Sequence, residues 1–153
     1  MNAADPSPTL EWRSFAEFSA PLLYELLRFR QAIFVVEQGC AYPDLDGLDR
    51  GARHLLLWCG DVLAGYLRLI PFEAETRVAI GRVAVAELLR HRGFARLLMA
   101  EALARCRRDY PDRAVTLTGQ TYLAGFYESL GFDATSAPYD DYGLSHVNMA
   151  LRS

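Results

Sequence analysis

Between Val78 and Cys106 the apolar pattern changes period once, and the loop at the change offers no residue able to cap a helix. Val78 to Ala86 is a valine-rich run that reads as a strand. From Gly93 to Asp109 a helix is expected, with Ala95, Leu98, Met99, Ala102, Leu103 and Cys106 on one stripe. Arg90, His91 and Arg92 stand before it, where Ser, Thr, Asp or Asn would satisfy its free amides. Positive charge beside the positive end of a helix dipole is unfavourable by itself. It becomes favourable when an anion accepts bonds from the exposed amides of about Arg92 to Arg96, Phe94 and Ala95 included. Gly93 lets backbone approach such an anion closely, and the small Ala95 keeps the first turn uncluttered. The plain alternative is a surface turn with solvated arginines.

Elsewhere the pattern switches repeatedly between the two periods. Thr9 to Phe15 alternates as a strand. Ser19 caps a helix with Pro21 just inside it, and Leu22, Leu23, Leu26, Phe29, Ile33 and Phe34 share a face running to Val36. A loop rich in Asp, Gly and Pro spans Gly39 to Gly51. Residues 53–59 and 62–70 flank Gly60-Asp61, a hairpin signal. Pro111 stops the long helix, and Ala114 to Thr118 returns as a strand. Thr121 opens a short helix that Gly131 ends, and Phe132–Pro138 with Ser145–Leu151 read as a closing antiparallel pair. The order β-α-β-β-β-α-β-α-β-β predicts an α/β (α+β) fold, a mixed sheet with helices on its faces. It forms one domain over 1–153, loose over residues 1–8.

Composition removes several functions. All sixteen basic residues are arginine, which excludes a Walker-type or Schiff-base lysine. A net charge of −3 favours neither nucleic acid nor an anionic membrane. Three scattered cysteines and three scattered histidines show neither a disulfide framework nor zinc spacing, so no metal is expected. Asp44-Leu-Asp-Gly47 resembles a calcium loop, but its glycine falls too early and no glutamate follows at the twelfth position. No apolar run is long enough to span a bilayer and no secretory signal pattern opens the chain, so a soluble cytoplasmic location is expected.

The stretch Arg90-His-Arg-Gly93-Phe-Ala95 resembles the Arg/Gln-x-x-Gly-x-Gly/Ala pattern of the GNAT N-acetyltransferases, and Phe126-Tyr-Glu-Ser-Leu-Gly-Phe132 is similar to that family's Phe-Tyr-x-x-x-Gly-Phe turn. Phe34-Val-Val-Glu-Gln38, Asp44-Leu-Asp-Gly47, Arg53-His54 and Ile80-Gly-Arg-Val83 resemble the ElaA-like branch in particular. The resemblance implies a mostly antiparallel sheet whose fourth and fifth strands splay, with acetyl-CoA wedged between them as acyl donor. It implies that the backbones of Val83 and Val85 pair with the pantetheine amides. The pyrophosphate would then lie on the loop and helix start from Arg90 through His91, Arg92, Gly93, Phe94 and Ala95 to Arg96. Tyr127 carries over as the acid that protonates the departing thiolate; on spacing alone it shares a stripe with Leu123, Phe126 and Leu130 and reads as a core tyrosine. Gln120 either bonds the cofactor or a water, or is a loop glutamine.

The base that frees the attacking amine stays open. Many family members place a glutamate on the fourth strand, which here lacks an acid. Glu37, His54 and the Asp44/Asp46/Asp49 loop are the candidates, with a surface glutamate, a sheet-edge histidine and turn-forming aspartates as their plainer readings. The acceptor is expected to be a small-molecule or peptide amine held between Glu37–Asp49 and Tyr139–Ser145, whose aspartates would suit a cation. Two other readings compete: a non-catalytic acyl-CoA-binding or sensing module, and acyl transfer to a non-amine acceptor, since Phe29–Gln38 faintly resembles acyl-homoserine-lactone synthases. Dimers are common in the family, so the resemblance carries a homodimer as a further expectation.

Overall fold

In the computed structural model, residues 7–153 are described. Eight strands form one sheet: β1 (Pro8–Ser14), β2 (Arg53–Cys59), β3 (Val62–Phe72), β4 (Arg77–Val85), β5 (Ala114–Gln120), β6 (Phe132–Ala134), β7 (Tyr139–Asp141) and β8 (Leu144–Leu151). Their spatial order is β1-β2-β3-β4-β5-β8-β6, with β7 also paired to β8. Among the described residues only β4 and β5 run parallel, and the other ladders are antiparallel. The helices are α1 (Ala20–Gln31), α2 (Phe94–Asp109) and the short α3 (Ala124–Glu128).

Each sheet face is covered because each carries its own apolar set. On one face Leu55, Leu57, Leu67, Leu69, Val78, Ile80, Val115 and Leu117 pack under the stripe Leu98, Met99, Ala102, Leu103 and Cys106 of α2. Leu98 lies so close over β3 that a Cβ on Gly65 would stand 2.9 Å from its Cδ1, which explains a glycine in mid-strand. On the other face Leu26 of α1 meets Leu56 and Tyr66, with Phe18, Leu22, Phe29 and Trp58 around them. Ser19 caps α1 as expected, its Oγ accepting from the Leu22 N–H at 3.2 Å.

Three expectations need correction. The first helix does not continue regularly to Val36: after Gln31 it widens into a π-helical stretch, Ala32–Glu37. The closing pair is three strands, because the chain leaves the sheet after Ala134 and returns as β7, turning through Tyr142 and Gly143 into β8. The loose start over 1–8 lies outside the described residues except at its end, where Pro8 already opens β1.

One irregularity shapes the site. Against β3, Arg68 pairs with Gly81 but Tyr66 pairs with Ala84, so Arg82 and Val83 together face Leu67. This is a β-bulge. It moves the core-facing positions of β4 from Val78 and Ile80 to Val83 and Val85. Arg82 itself has φ 54°, in the left-handed region, a conformation that costs a non-glycine residue roughly 1–2 kcal/mol.

Candidate active site

The parallel ladder between β4 and β5 ends at Ile80–Leu117, although β4 runs on to Val85 and β5 to Gln120. The two strands therefore part over their last residues. The Ala86 N–H donates to the Ala64 carbonyl at 2.8 Å. By the alternation of an antiparallel ladder, Val85 and Val83 then turn their peptide groups away from β3, toward the gap.

The loop that leaves that gap runs directly into α2. His91 (φ 66°) and Gly93 (φ 80°) both take left-handed conformations, and no side chain caps α2. A Cβ added at Gly93 would meet no atom within 4 Å, so the space above the helix start is open to a ligand. Backbone N–H groups, a dipole end and left-handed residues together form a feature that a phosphate group would fit. The arginines act differently from the simplest expectation. The Arg90 side chain turns back, Nε donating to the Val85 carbonyl at 3.0 Å and Nη2 to Glu37 Oε2 at 2.8 Å, so its guanidinium braces the loop. One lone pair of Val85 is thus already engaged, which leaves its N–H as the freer pairing group. Arg96 reaches Ser129 Oγ at 3.2 Å and lies over the Phe126 ring at 5.4 Å, tying α2 to α3. Phe94 and Ala95 open α2. Gln120 closes β5 opposite His146.

Tyr127 packs on β5 beyond its last pair with β4. Its ring lies on Gly119 of β5, where a Cβ would be 2.9 Å from Cε2, and edge-on to Phe126 and Phe132 at 5.2 and 6.3 Å. Burial pushes its hydroxyl up to about 12, with nearby Tyr122 adding to the shift. Among the described residues that hydroxyl has no hydrogen-bond partner. Tyr127 is therefore a core residue by its ring, with a fully protonated donor group at neutral pH.

The comparisons bear on this arrangement. Residues 35–153 match the family described as an acetyltransferase (GNAT) domain. The chain belongs to the GNAT family. Within that family it is 40% identical over 146 residues to the protein ElaA of Escherichia coli K12, covering 92% of this chain and 95% of the relative. The crystal structure of E. coli ElaA superposes with a TM-score of 0.87 at 39% identity, over 94% of this chain and 100% of that one. An acyl-CoA N-acyltransferase from Pseudomonas aeruginosa gives 0.88 at 34% identity, over 95% and 100%. A Bacillus subtilis acetyltransferase solved in complex with CoA shares the GNAT fold, with a TM-score of 0.70 at 18% identity over 95% and 98%.

On the α1 side of the sheet this GNAT domain holds a lattice of charges absent from the sequence reading. Arg30 donates from Nε to Asp44 Oδ2 (3.0 Å) and from Nη1 to Asp49 Oδ1 (2.7 Å). Arg68 donates from Nη1 to Asp49 Oδ1 (2.8 Å) and from Nη2 to Asp46 Oδ2 (2.5 Å). Arg82 donates from Nε to Asp44 Oδ1 (2.8 Å) and from Nη2 to Asp46 Oδ2 (3.2 Å). Arg30 and Arg68 are buried, and three guanidinium charges meet three carboxylates. Asp44 and Asp49 are thus held inside the fold by arginines, and Asp46 is ion-paired while its Oδ1 also accepts the Leu48 N–H at 3.1 Å, as a turn former does. The signal that exposes such arginines is their position: Arg68 interrupts the apolar run Tyr66–Ile70, and Arg30 has Leu26, Leu27, Ile33 and Phe34 at helical spacing around it.

His54 joins the lattice. It is buried on β2, between β1 and β3, so it is not a sheet-edge residue. Nε2–H donates to the Asp49 carbonyl at 2.9 Å, which leaves Nδ1 to accept the Tyr66 hydroxyl at 2.5 Å. Both ring nitrogens are committed inside the fold. Glu37, at the end of the π-helical stretch, is instead half-exposed and joined through Arg90 to the end of β4.

The lattice makes stability depend on pH. Burial lowers the His54 pKa, and the Asp49 carbonyl only partly opposes this. The unfolded chain therefore takes up a proton near the ordinary 6.5 that the folded chain refuses. For Asp46 and Asp49 burial alone would raise the carboxyl, but the arginine hydrogen bonds outweigh it, holding Asp46 at about 2 and Asp49 below its usual range. Both effects have one sign: stability is full above about pH 7, falls as His54 charges in the unfolded state, and falls further from about pH 4 toward pH 2. The Asp46 share is on the order of 1 kcal/mol once its partial exposure is allowed for. Urea midpoints at about pH 8, 5 and 3 should decrease in that order; a flat series would contradict the coupling.

Proposed function

We propose that the chain is an N-acetyltransferase that moves an acetyl group from acetyl-CoA to an amine by direct attack in a ternary complex. The observation that carries this is the uncapped start of α2, with left-handed His91 and Gly93, at the mouth of a parted β4–β5 pair. Bound acetyl-CoA supplies an activated acetyl group as a thioester. Amides from Gly93 to Arg96 would hold its diphosphate, and the gap-facing peptide groups of Val83 and Val85 would pair with the pantetheine arm. A β4 amide facing the gap would polarise the carbonyl oxygen. The Tyr127 hydroxyl would donate its proton to the departing sulfur; at about 12 it remains a hydrogen-bond donor until negative charge develops there. Glu37 is the proposed acceptor of the amine proton, because its Arg90 ion pair holds a half-exposed carboxylate beside the end of β4, whereas His54 is enclosed with both ring nitrogens bonded.

Free-thiol release across a panel of small-molecule and peptide amines identifies the acceptor. With that acceptor, Tyr127→Phe is expected to lower turnover at least about tenfold while coenzyme A affinity stays within about twofold. Glu37→Gln should lower kcat at least about tenfold with coenzyme A affinity unchanged. A Tyr127→Phe enzyme with unchanged rate and profile would leave the ring as packing only. Tight coenzyme A binding with no amine acetylated would replace the transferase by a binding module.

A further inference from the structure

Arg82 is an unlikely residue for its place. It sits at the first position of the β4 bulge with φ 54°, where glycine is the unstrained choice. Its guanidinium is fixed from several sides: Asp44 Oδ1 at 2.8 Å, the Asp44 carbonyl at 3.2 Å and Asp46 Oδ2 at 3.2 Å, with the Tyr42 and Phe34 rings 4.8 and 6.0 Å from its carbon centre. The anchor is itself held, because Asp44 also binds buried Arg30 and Asp46 also binds Arg68. The second residue of the bulge is Val83, whose peptide group turns to the gap.

We propose that Arg82 is a positioning residue: gripped by Asp44 and Asp46, it holds the left-handed bulge that aims the Val83 N–H at the thioester carbonyl. This deepens the acetyl-CoA reading above and rests on it. A loop of the acceptor side thereby sets the geometry of the strand that receives the donor. The side chain touches no reacting atom; its work is to keep the backbone of one residue where β propensity would not.

Arg82→Ala removes the grip and keeps the strain, whereas Arg82→Gly removes the grip and the strain together. In both, Asp44 retains Arg30 and Asp46 retains Arg68, so folding should survive. The first readout is isotope-edited infrared spectroscopy of carbonyl-labelled acetyl-CoA bound to each protein, with coenzyme A affinity by calorimetry alongside. Arg82→Ala is expected to lose more than about half of the carbonyl shift seen in the wild type, and Arg82→Gly to keep most of it, with affinities within about threefold. The second readout needs no ligand: the Val83 amide chemical shift, corrected for the changed neighbour at position 82, should move in Arg82→Ala and stay near wild type in Arg82→Gly. Equal behaviour of Arg82→Ala and wild type, or of the two variants, overturns the proposal. Failure of the wild type to bind coenzyme A overturns the acetyl-CoA reading instead, and the Val83 amide still decides the grip.

Discussion

Replacing Gly93 with valine is expected to weaken coenzyme A binding at least about a hundredfold while the domain stays folded. Gly93 has φ 80°, which a β-branched residue adopts only under strain, so valine would pull the loop away from the conformation that presents the first amides of α2. Each charge-assisted bond to a phosphate is worth roughly 1.5–3 kcal/mol, so losing two lowers affinity by two to four powers of ten. The helix itself depends little on this residue, since no core contact involves it. Calorimetric titration with coenzyme A, beside a thermal melt, measures both halves. Unchanged affinity would remove the diphosphate site.

Asp44→Asn should have the largest effect on stability, about 3–5 kcal/mol, because it leaves fully buried Arg30 short of a counter-charge. For a domain of this size that corresponds to a fall in Tm of roughly 6–20 °C. The exposed pair Arg152–Asp133 gives the contrast: breaking a surface pair costs at most about 1 kcal/mol. Urea unfolding of Asp44→Asn against Asp133→Asn decides it. Equal losses in the two variants would mean that water reaches Arg30.

Much of this was legible in the residues, and the exceptions have physical causes. The α2 stripe, the Ser19 cap, the Gly60-Asp61 hairpin and the bare helix start obey local rules of period and capping, which need no knowledge of distant partners. The π-helical stretch was not visible, because a widened turn is imposed by tertiary contacts on residues whose spacing still suits an α-helix. The bulge did leave a trace: apolar core positions step by two from Val78 to Ile80, then by three to Val83. The partners of Asp44, Asp46, Asp49 and His54 could not be read from spacing, because they stand on α1, β3 and β4 or in the loop itself. Charge in a loop says nothing of which buried arginine will meet it.

The lattice has a consequence for how the domain assembles. Its pairs are far apart along the chain: Arg30 and Asp44 by 14 residues, Arg68 and Asp46 by 22, Arg82 and Asp44 by 38. A partly folded chain that has packed α1 on the sheet without the 39–49 loop must shelter a bare guanidinium in apolar surroundings, which is costly. Intermediates of that kind are disfavoured, so helix, loop and strands should come together in a single concerted, all-or-none step.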